Sequence, residues 1–212
     1  MEQNISAIKN WLGTGSINIF GLPFSGKDTV GIRLAEDLGA KFLSSGLILR
    51  HAAEQDADLA KEMKNGLLAN TDKFLDNILP YLKMPALQGL PLVLSSVGRW
   101  EGEEFAVIEA AESAEHPIKA VVLLNISEAE AKKRWGVAKT LADRGEREDD
   151  KESAVLDQRI EEFIQKTMPV IETYQKRGLL VSVPAMADRE AVYQKVIEEL
   201  AVKAHQIERE II

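Results

Sequence analysis

The stretch Gly21-Leu22-Pro23-Phe24-Ser25-Gly26-Lys27 combines residue types and spacing that imply a definite chemistry. It follows a short apolar run, Ser16 to Phe20, and precedes a helical pattern, Gly31 to Leu38. A loop in that position can turn its backbone amides inward because glycines remove the steric bar. The helix N-terminus adds positive potential, and Lys27 offers a cation that can follow a transferring phosphoryl group. All three act on one compact anion, so Gly21, Pro23, Phe24, Ser25, Gly26 and Lys27, with Asp28 and Thr29 in the turn that follows, are expected to bind the phosphates of ATP.

The residue after Lys27 is Asp28, and Thr29 follows. Many phosphate loops place a Ser or Thr hydroxyl on magnesium at the first of these positions. Two readings of Asp28 stand side by side. It either interacts with the positive end of the helix that begins there, or it binds the magnesium ion that accompanies ATP.

The elements that position this loop follow from hydrophobic patterning. Ser16 to Phe20, Lys41 to Leu43, Leu90 to Leu94, Ala120 to Asn125 and Leu179 to Val183 are short apolar runs, as strands covered on both faces should be. They alternate with helical stretches, which is the pattern of a parallel sheet clothed by helices. The segment Ser45 to Leu82 holds at least two helical patterns between the second and third strands. That is longer than a crossover needs, and it predicts an inserted subdomain. Near Gly136 to Asp150, the mixture of Asp143, Arg144, Glu146, Arg147, Asp149 and Asp150 argues against a packed element and for a mobile flap or solvated loop. From Glu152 to Arg177 the spacing is helical again, and Arg189 to Ile212 reads as a final amphipathic helix with Val192, Val196, Leu200 and Val202 on its apolar side.

Composition narrows the class. The 212 residues suit one large α/β domain, and 45% hydrophobic with 28% charged residues is ordinary for a globular chain. There is no cysteine, which excludes disulfides and thiolate zinc sites. The net charge of −8 opposes a nonspecific grip on nucleic acid, because that affinity comes from clustered cations releasing counterions. Met1 to Gly13 lacks the apolar run of a signal or spanning segment, so the expectation is a cytoplasmic protein without nucleic-acid or membrane partners.

From Ile17 to about Leu200 the chain resembles the adenylate kinases, the nucleoside monophosphate kinase family. The family's Gly-Lys-Gly-Thr is occupied here by Gly26-Lys27-Asp28-Thr29. Its Ser-Thr-Gly-Asp-x-x-Arg is matched by Ser44-Ser45-Gly46-Leu47-Ile48-Leu49-Arg50, with Leu47 in place of the aspartate. Its Leu-Asp-Gly-x-Pro-Arg is represented by Leu94-Ser95-Ser96-Val97-Gly98-Arg99, which keeps the arginine and replaces the aspartate with Ser95. Arg147-Glu148-Asp149-Asp150 retains the family's Arg-x-Asp-Asp, and Arg159, Thr167, Pro169 and Tyr174 continue the pattern into the following helix.

The resemblance implies a three-layer α/β/α fold of the P-loop NTPase type with a five-stranded parallel sheet in a single domain, 1–212. It also implies a helical acceptor-binding insertion at 44–82 and a short lid at 135–150. It assigns Ser45, Gly46, Arg50, Gly98 and Arg99 to the acceptor, and Arg134 or Arg144, with Arg147 and Arg159, to the donor phosphates. Asp149 and Asp150 would orient these arginines, and Lys27, Arg99, Arg147 and Arg159 would act as electrostatic catalysts. The family's adenine-reading glutamine falls on Glu103. A carboxylate there suits guanine's N–H edge, or it simply begins a helix together with Glu101 and Glu104. The implied activity is magnesium-dependent transfer from ATP to a nucleoside monophosphate, in a monomer or small homo-oligomer. The alternatives are a degenerate nucleotide-binding member with a regulatory role, and a kinase for another small acceptor.

Overall fold

A computed structural model of the chain describes residues 1–141 and 152–210. Its strands are β1 (Ser16–Gly21), β2 (Lys41–Ser44), β3 (Leu92–Ser95), β4 (Ile118–Asn125) and β5 (Leu180–Pro184). They form one five-stranded sheet in the order β2-β3-β1-β4-β5, and every neighbouring pair is parallel. β1 and β3 are buried along their whole length, whereas β5 at one edge alternates. This is the burial that continuous apolar runs in doubly covered strands require.

The helices are α1 (Glu2–Leu12), α2 (Lys27–Leu38), α3 (Ser45–Ala53), α4 (Ala57–Lys64), α5 (Thr71–Leu82), α6 (Glu103–Ser113), α7 (Glu128–Leu141), α8 (Ser153–Glu162), α9 (Met168–Lys176) and α10 (Arg189–Glu210). α1 packs on α10, and its Ile8 and Leu12 are fully buried, so the N-terminal helix belongs to the core. None of the described helices is long and apolar enough to cross a membrane.

The inserted segment contains three helices, and the starts of two of them are coded locally. Asp56 caps α4 by accepting from the N–H groups of Asp58 and Leu59 at 3.0 and 2.9 Å, and Asn70 caps α5 by accepting from Lys73 at 3.0 Å.

Three expectations need correction. The helix α7 runs on through Gly136 to Leu141, a stretch read as flap or loop. Side-chain pairs four residues apart support it: Glu130 with Arg134, and Lys139 over the Trp135 ring at 5.1 Å. The helical stretch after Glu152 is not uniform, because a π turn at Phe163–Thr167 separates α8 from α9. The ladder widens just before Pro169, which has no N–H to offer. Val202 is 51% exposed, since the buried seam of α10 passes through Val192, Val196, Ile197, Leu200 and Ala204.

The strand order reverses at β1. The chain moves from β1 to β2 and β3 on one side, and later to β4 and β5 on the other. In open α/β sheets, ligands bind beyond the carboxyl ends of the strands at such a point. The loop Gly21 to Lys27 leaves β1 there, and the segment after β3 runs beside it because Ile19 pairs with Ser95.

Candidate active site

The phosphate loop is tightly specified. A Cβ on Gly21 would stand 2.5 Å from Ser25 Oγ and 2.9 Å from the Leu124 carbonyl, so no larger residue fits. Gly26 caps α2 with φ +89°, and Phe24 is held at φ +64° while nearly buried. A bulky residue in the left-handed region stores strain, which persists where surrounding structure holds it and clusters at ligand sites. Lys27 is the first residue of α2, with Asp28 and Thr29 in the same first turn.

Asp28 lies against β3. Ser95 Oγ donates to Asp28 Oδ1 at 2.6 Å, the length of a charge-assisted bond. This carboxylate and hydroxyl form an all-oxygen pair, the hard donor type that magnesium takes. Among the described residues no group of three or more His, Cys, Asp or Glu could hold a metal alone. Magnesium characteristically uses one or two carboxylates together with substrate phosphates, so the donor set fits that ion.

A second cluster is built on the segment after β3. The buried Asn18 of β1 donates from Nδ2 to the Val97 carbonyl at 2.7 Å and accepts from Val97 N–H at 3.2 Å. Ser45, at the start of α3, donates its hydroxyl to the carbonyls of Ser96 and Ser95 at 2.7 and 3.2 Å, joining the insertion to the same segment. Gly46 lets the Arg50 guanidinium fold alongside, where a Cβ would meet Nη1 at 3.4 Å. Gly98, at φ +76°, backs onto Val107.

Arg99 has an enclosed Nε without a hydrogen-bond partner. Burial first, and then the like charge of Arg159, pull its pKa down to about 10, so it remains a cation at neutral pH. The nearby carboxylates of Glu162 and Glu103 offset part of this, and the open Nε is a donor that suits a phosphate oxygen.

Glu103 does not offer its carboxylate to an open cleft. It is 2% exposed, and its Oε2 accepts from the backbone N–H groups of Arg99 and Trp100 at 2.8 and 3.0 Å. It therefore clamps the turn that carries Arg99, a role closer to the helix-start alternative than to base reading. Burial raises its pKa, and the two backbone bonds oppose that rise.

On the other side of the phosphate loop a cavity of about 400 Å³ lies between α2, α7 and the segment from β5 to α10. It opens onto Ser25 and Gly26, and Val137 and Met186 supply apolar walls. That size and lining suit a nucleobase with its sugar. Arg134 borders the cavity but is engaged sideways, with Nε on Glu130 at 2.8 Å and Nη2 on the Ala185 carbonyl at 2.7 Å. The same bond holds the Glu130 carboxyl below its ordinary range.

At the exposed rim, Arg33 binds Glu190 through two nitrogens at 2.6 and 3.3 Å and stacks 3.8 Å over the Tyr193 ring, while Tyr193 donates to Asp37. Sequence reading did not single out Met186, Val137, Arg33 or Tyr193. The position of Met186 just beyond the end of a parallel strand was the available signal.

Arg144, Arg147, Asp149 and Asp150 lie outside the described residues, as does the part of the expected lid beyond Leu141. Arg159 extends from α8 toward the insertion, where a Cβ on Gly66 would meet its Cγ at 3.0 Å.

Comparison with known proteins is consistent with this geometry. Residues 20–157 match the family described as AAA domain. The adenylate kinase of Synechococcus sp. (strain CC9902) is 33% identical over 184 residues, covering 85% of this chain and 95% of that protein. The adenylate kinase of Synechococcus sp. (strain WH7803) is 34% identical over 185 residues, with 85% and 96% covered. That of Hyphomonas neptunium is 29% identical over 183 residues, with 84% and 94% covered. Among solved structures, a gluconokinase from Sinorhizobium meliloti 1021 superposes with a TM-score of 0.64 over 92% of this chain and 97% of its own, at 20% identity, which speaks for the fold alone. A phosphate loop at the switch point of a parallel sheet, with sequence kinship along most of its length, makes this chain a P-loop phosphotransferase that belongs to the adenylate kinase family.

Proposed function

We propose that the chain transfers the γ-phosphoryl group of ATP to a nucleoside monophosphate, with AMP as the preferred acceptor and ADP as the product on both sides. The observation that carries this reading is the enclosed, unpartnered Nε of Arg99 beside the charge of Arg159. Arg99 follows Ser95, the partner of Asp28 at the phosphate loop, by four residues. Four residues reach at most about 14 Å, so one short segment brings an acceptor cation close to the donor phosphates.

Phosphoryl transfer asks mainly for positioned positive charge, because negative charge spreads over oxygens in line between donor and acceptor. Lys27 and the loop amides would hold the donor phosphates, Arg50 and Arg99 the acceptor phosphate, and Arg159 the region between them. Magnesium, held by Asp28 and Ser95 with phosphate oxygens, would neutralise part of the triphosphate charge. The insertion closing on α8 would exclude water and so protect ATP from hydrolysis.

A coupled assay with AMP, GMP, CMP, UMP, their deoxy forms and gluconate tests the proposal. AMP is expected to give the highest kcat/KM, and Lys27→Ala to abolish turnover. No turnover with any nucleotide would reject it, and turnover of gluconate alone would assign a different acceptor. Replacement of the strand-end acid by Ser95 favours one further reading, a nucleotide-binding regulator with little transfer activity. Tight ATP binding without turnover would select it.

A further inference from the structure

The turn that carries Arg99 has little covalent constraint of its own. Ser96 stands at φ +54° and Gly98 at φ +76°. Gly98 occupies the proline position of the pattern Leu-Asp-Gly-x-Pro-Arg, so no ring fixes its backbone. A non-glycine residue in the left-handed region persists only where its surroundings hold it. Here buried side chains from three elements do so. Ser45 of α3 donates to the Ser95 and Ser96 carbonyls, Glu103 of α6 accepts from the Arg99 and Trp100 N–H groups, and Asn18 of β1 takes both backbone groups of Val97.

Asn18 is the unexpected member of this set. It lies between Ile17 and Ile19 in a strand buried along its whole length, and it is itself fully buried. A carboxamide in such a place costs free energy unless its groups are paired. Both are paired to one residue, because Nδ2 donates to the Val97 carbonyl at 2.7 Å and Oδ1 accepts from the Val97 N–H at 3.2 Å, across 79 residues of sequence. The backbone bonding of β1 to this segment reaches Ser96, whose N–H donates to the Ile19 carbonyl at 2.9 Å, and the Asn18 carboxamide carries it one residue further. A single hydrogen bond leaves a peptide free to swivel. Two, made by a planar amide, set both its position and its orientation. Arg99 follows two residues later, a reach of at most about 7 Å.

We propose that Asn18 is a positioning residue for the acceptor phosphate, acting through Val97 on the placement of the Arg99 guanidinium. Being fully buried, it makes no contact with a ligand itself. The inference rests on the reading of Arg99 as the acceptor-side cation.

The test uses the full chain and two replacements. Asn18→Leu keeps the shape and removes both bonds. Asn18→Ser leaves room for a water that satisfies the Val97 groups without fixing them, which keeps a folded protein to measure. In both, kcat/KM for AMP should fall about ten- to a hundredfold, since a misplacement of about 1 Å can cost the larger figure. The KM for ATP should stay constant, whereas a purely structural part would alter both substrates alike. In an Arg99→Met background either replacement should change kcat/KM for AMP by no more than about twofold, because effects that act through a shared partner are not additive. Amide hydrogen exchange followed by NMR should show lost protection at Arg99 and Trp100, whose own acceptor Glu103 is untouched.

Multiplying losses in the double variant, equal rises in both KM values, or retained protection at Arg99 and Trp100 would overturn this inference and leave Arg99 at the acceptor. Retained kcat/KM in Arg99→Met alone would overturn the acceptor reading, and this inference with it.

Discussion

Leu68 donates its backbone N–H to the Glu162 carboxylate at 3.1 Å, which ties the inserted helices to α8 across 94 residues of chain. Glu162 also accepts from Lys166 Nζ at 2.7 Å, and that ammonium lies 4.0 Å over the Trp100 ring, next to Arg99. A single buried carboxylate thus joins the insertion, α8 and the segment that carries Arg99.

Glu162→Ala should loosen this junction. Leaving Leu68 N–H and Lys166 without their acceptor should destabilise the fold by about 1–3 kcal/mol. The acceptor KM should rise several-fold while the ATP KM stays constant. Urea melts and the two KM values check this, and an unchanged acceptor KM would show that the tether does not govern closure.

Arg99→Met separates stability from function. Replacing a partly buried cation with an apolar chain of similar length is expected to leave stability the same or slightly higher. Catalytic efficiency should fall about 10²–10³-fold, the scale for losing one positioned electrostatic donor. A thermal melt beside steady-state kinetics decides, and retained kcat/KM would remove Arg99 from the acceptor site.

Glu103 gives a pH signature. Its folded pKa is raised above the ordinary 4.5 by burial, so the folded state holds this proton more firmly than the unfolded chain. The penalty is absent below 4.5 and grows as pH rises through the folded pKa. Glu103→Gln, whose carbonyl can still accept from Arg99 and Trp100, should therefore be more stable than wild type at neutral pH, and the gap should close on acidification. Denaturant midpoints from pH 4 to 8 would show it. A constant gap would contradict the assignment.

Gly21→Ala should abolish ATP binding. Its methyl group would be placed 2.9 Å from the Leu124 backbone, which cannot swing aside as the Ser25 hydroxyl can. Overpacking of this kind costs about 1–3 kcal/mol and would reshape the cradle. ATP should then give no thermal shift, whereas a normal shift would show that the loop has room to spare.

The phosphate loop and all five strands were legible in the sequence because both are local codes. Glycine spacing between an apolar run and a helical pattern identifies the one, and short Val-, Ile- and Leu-rich runs identify the others. The caps at Asp56 and Asn70 are local in the same sense. The extent of α7 was misjudged because charge density alone suggested a loop, while side-chain pairing four residues apart supports a helix.

Asn18 with Val97, Asp28 with Ser95, Leu68 with Glu162 and Arg33 with Tyr193 belong to another kind of information. Each pair is remote in sequence and meets because the fold sets β1 and α2 against β3, the insertion against α8, and Arg33 of α2 against Tyr193 of α10. A hydrophobic period says which face of an element is buried but not which element covers it. That choice is made by the energy of packing the whole chain at once. The sequence accordingly displayed the groups that can hold phosphate, and the fold chose which carboxylate and which arginine stand beside it.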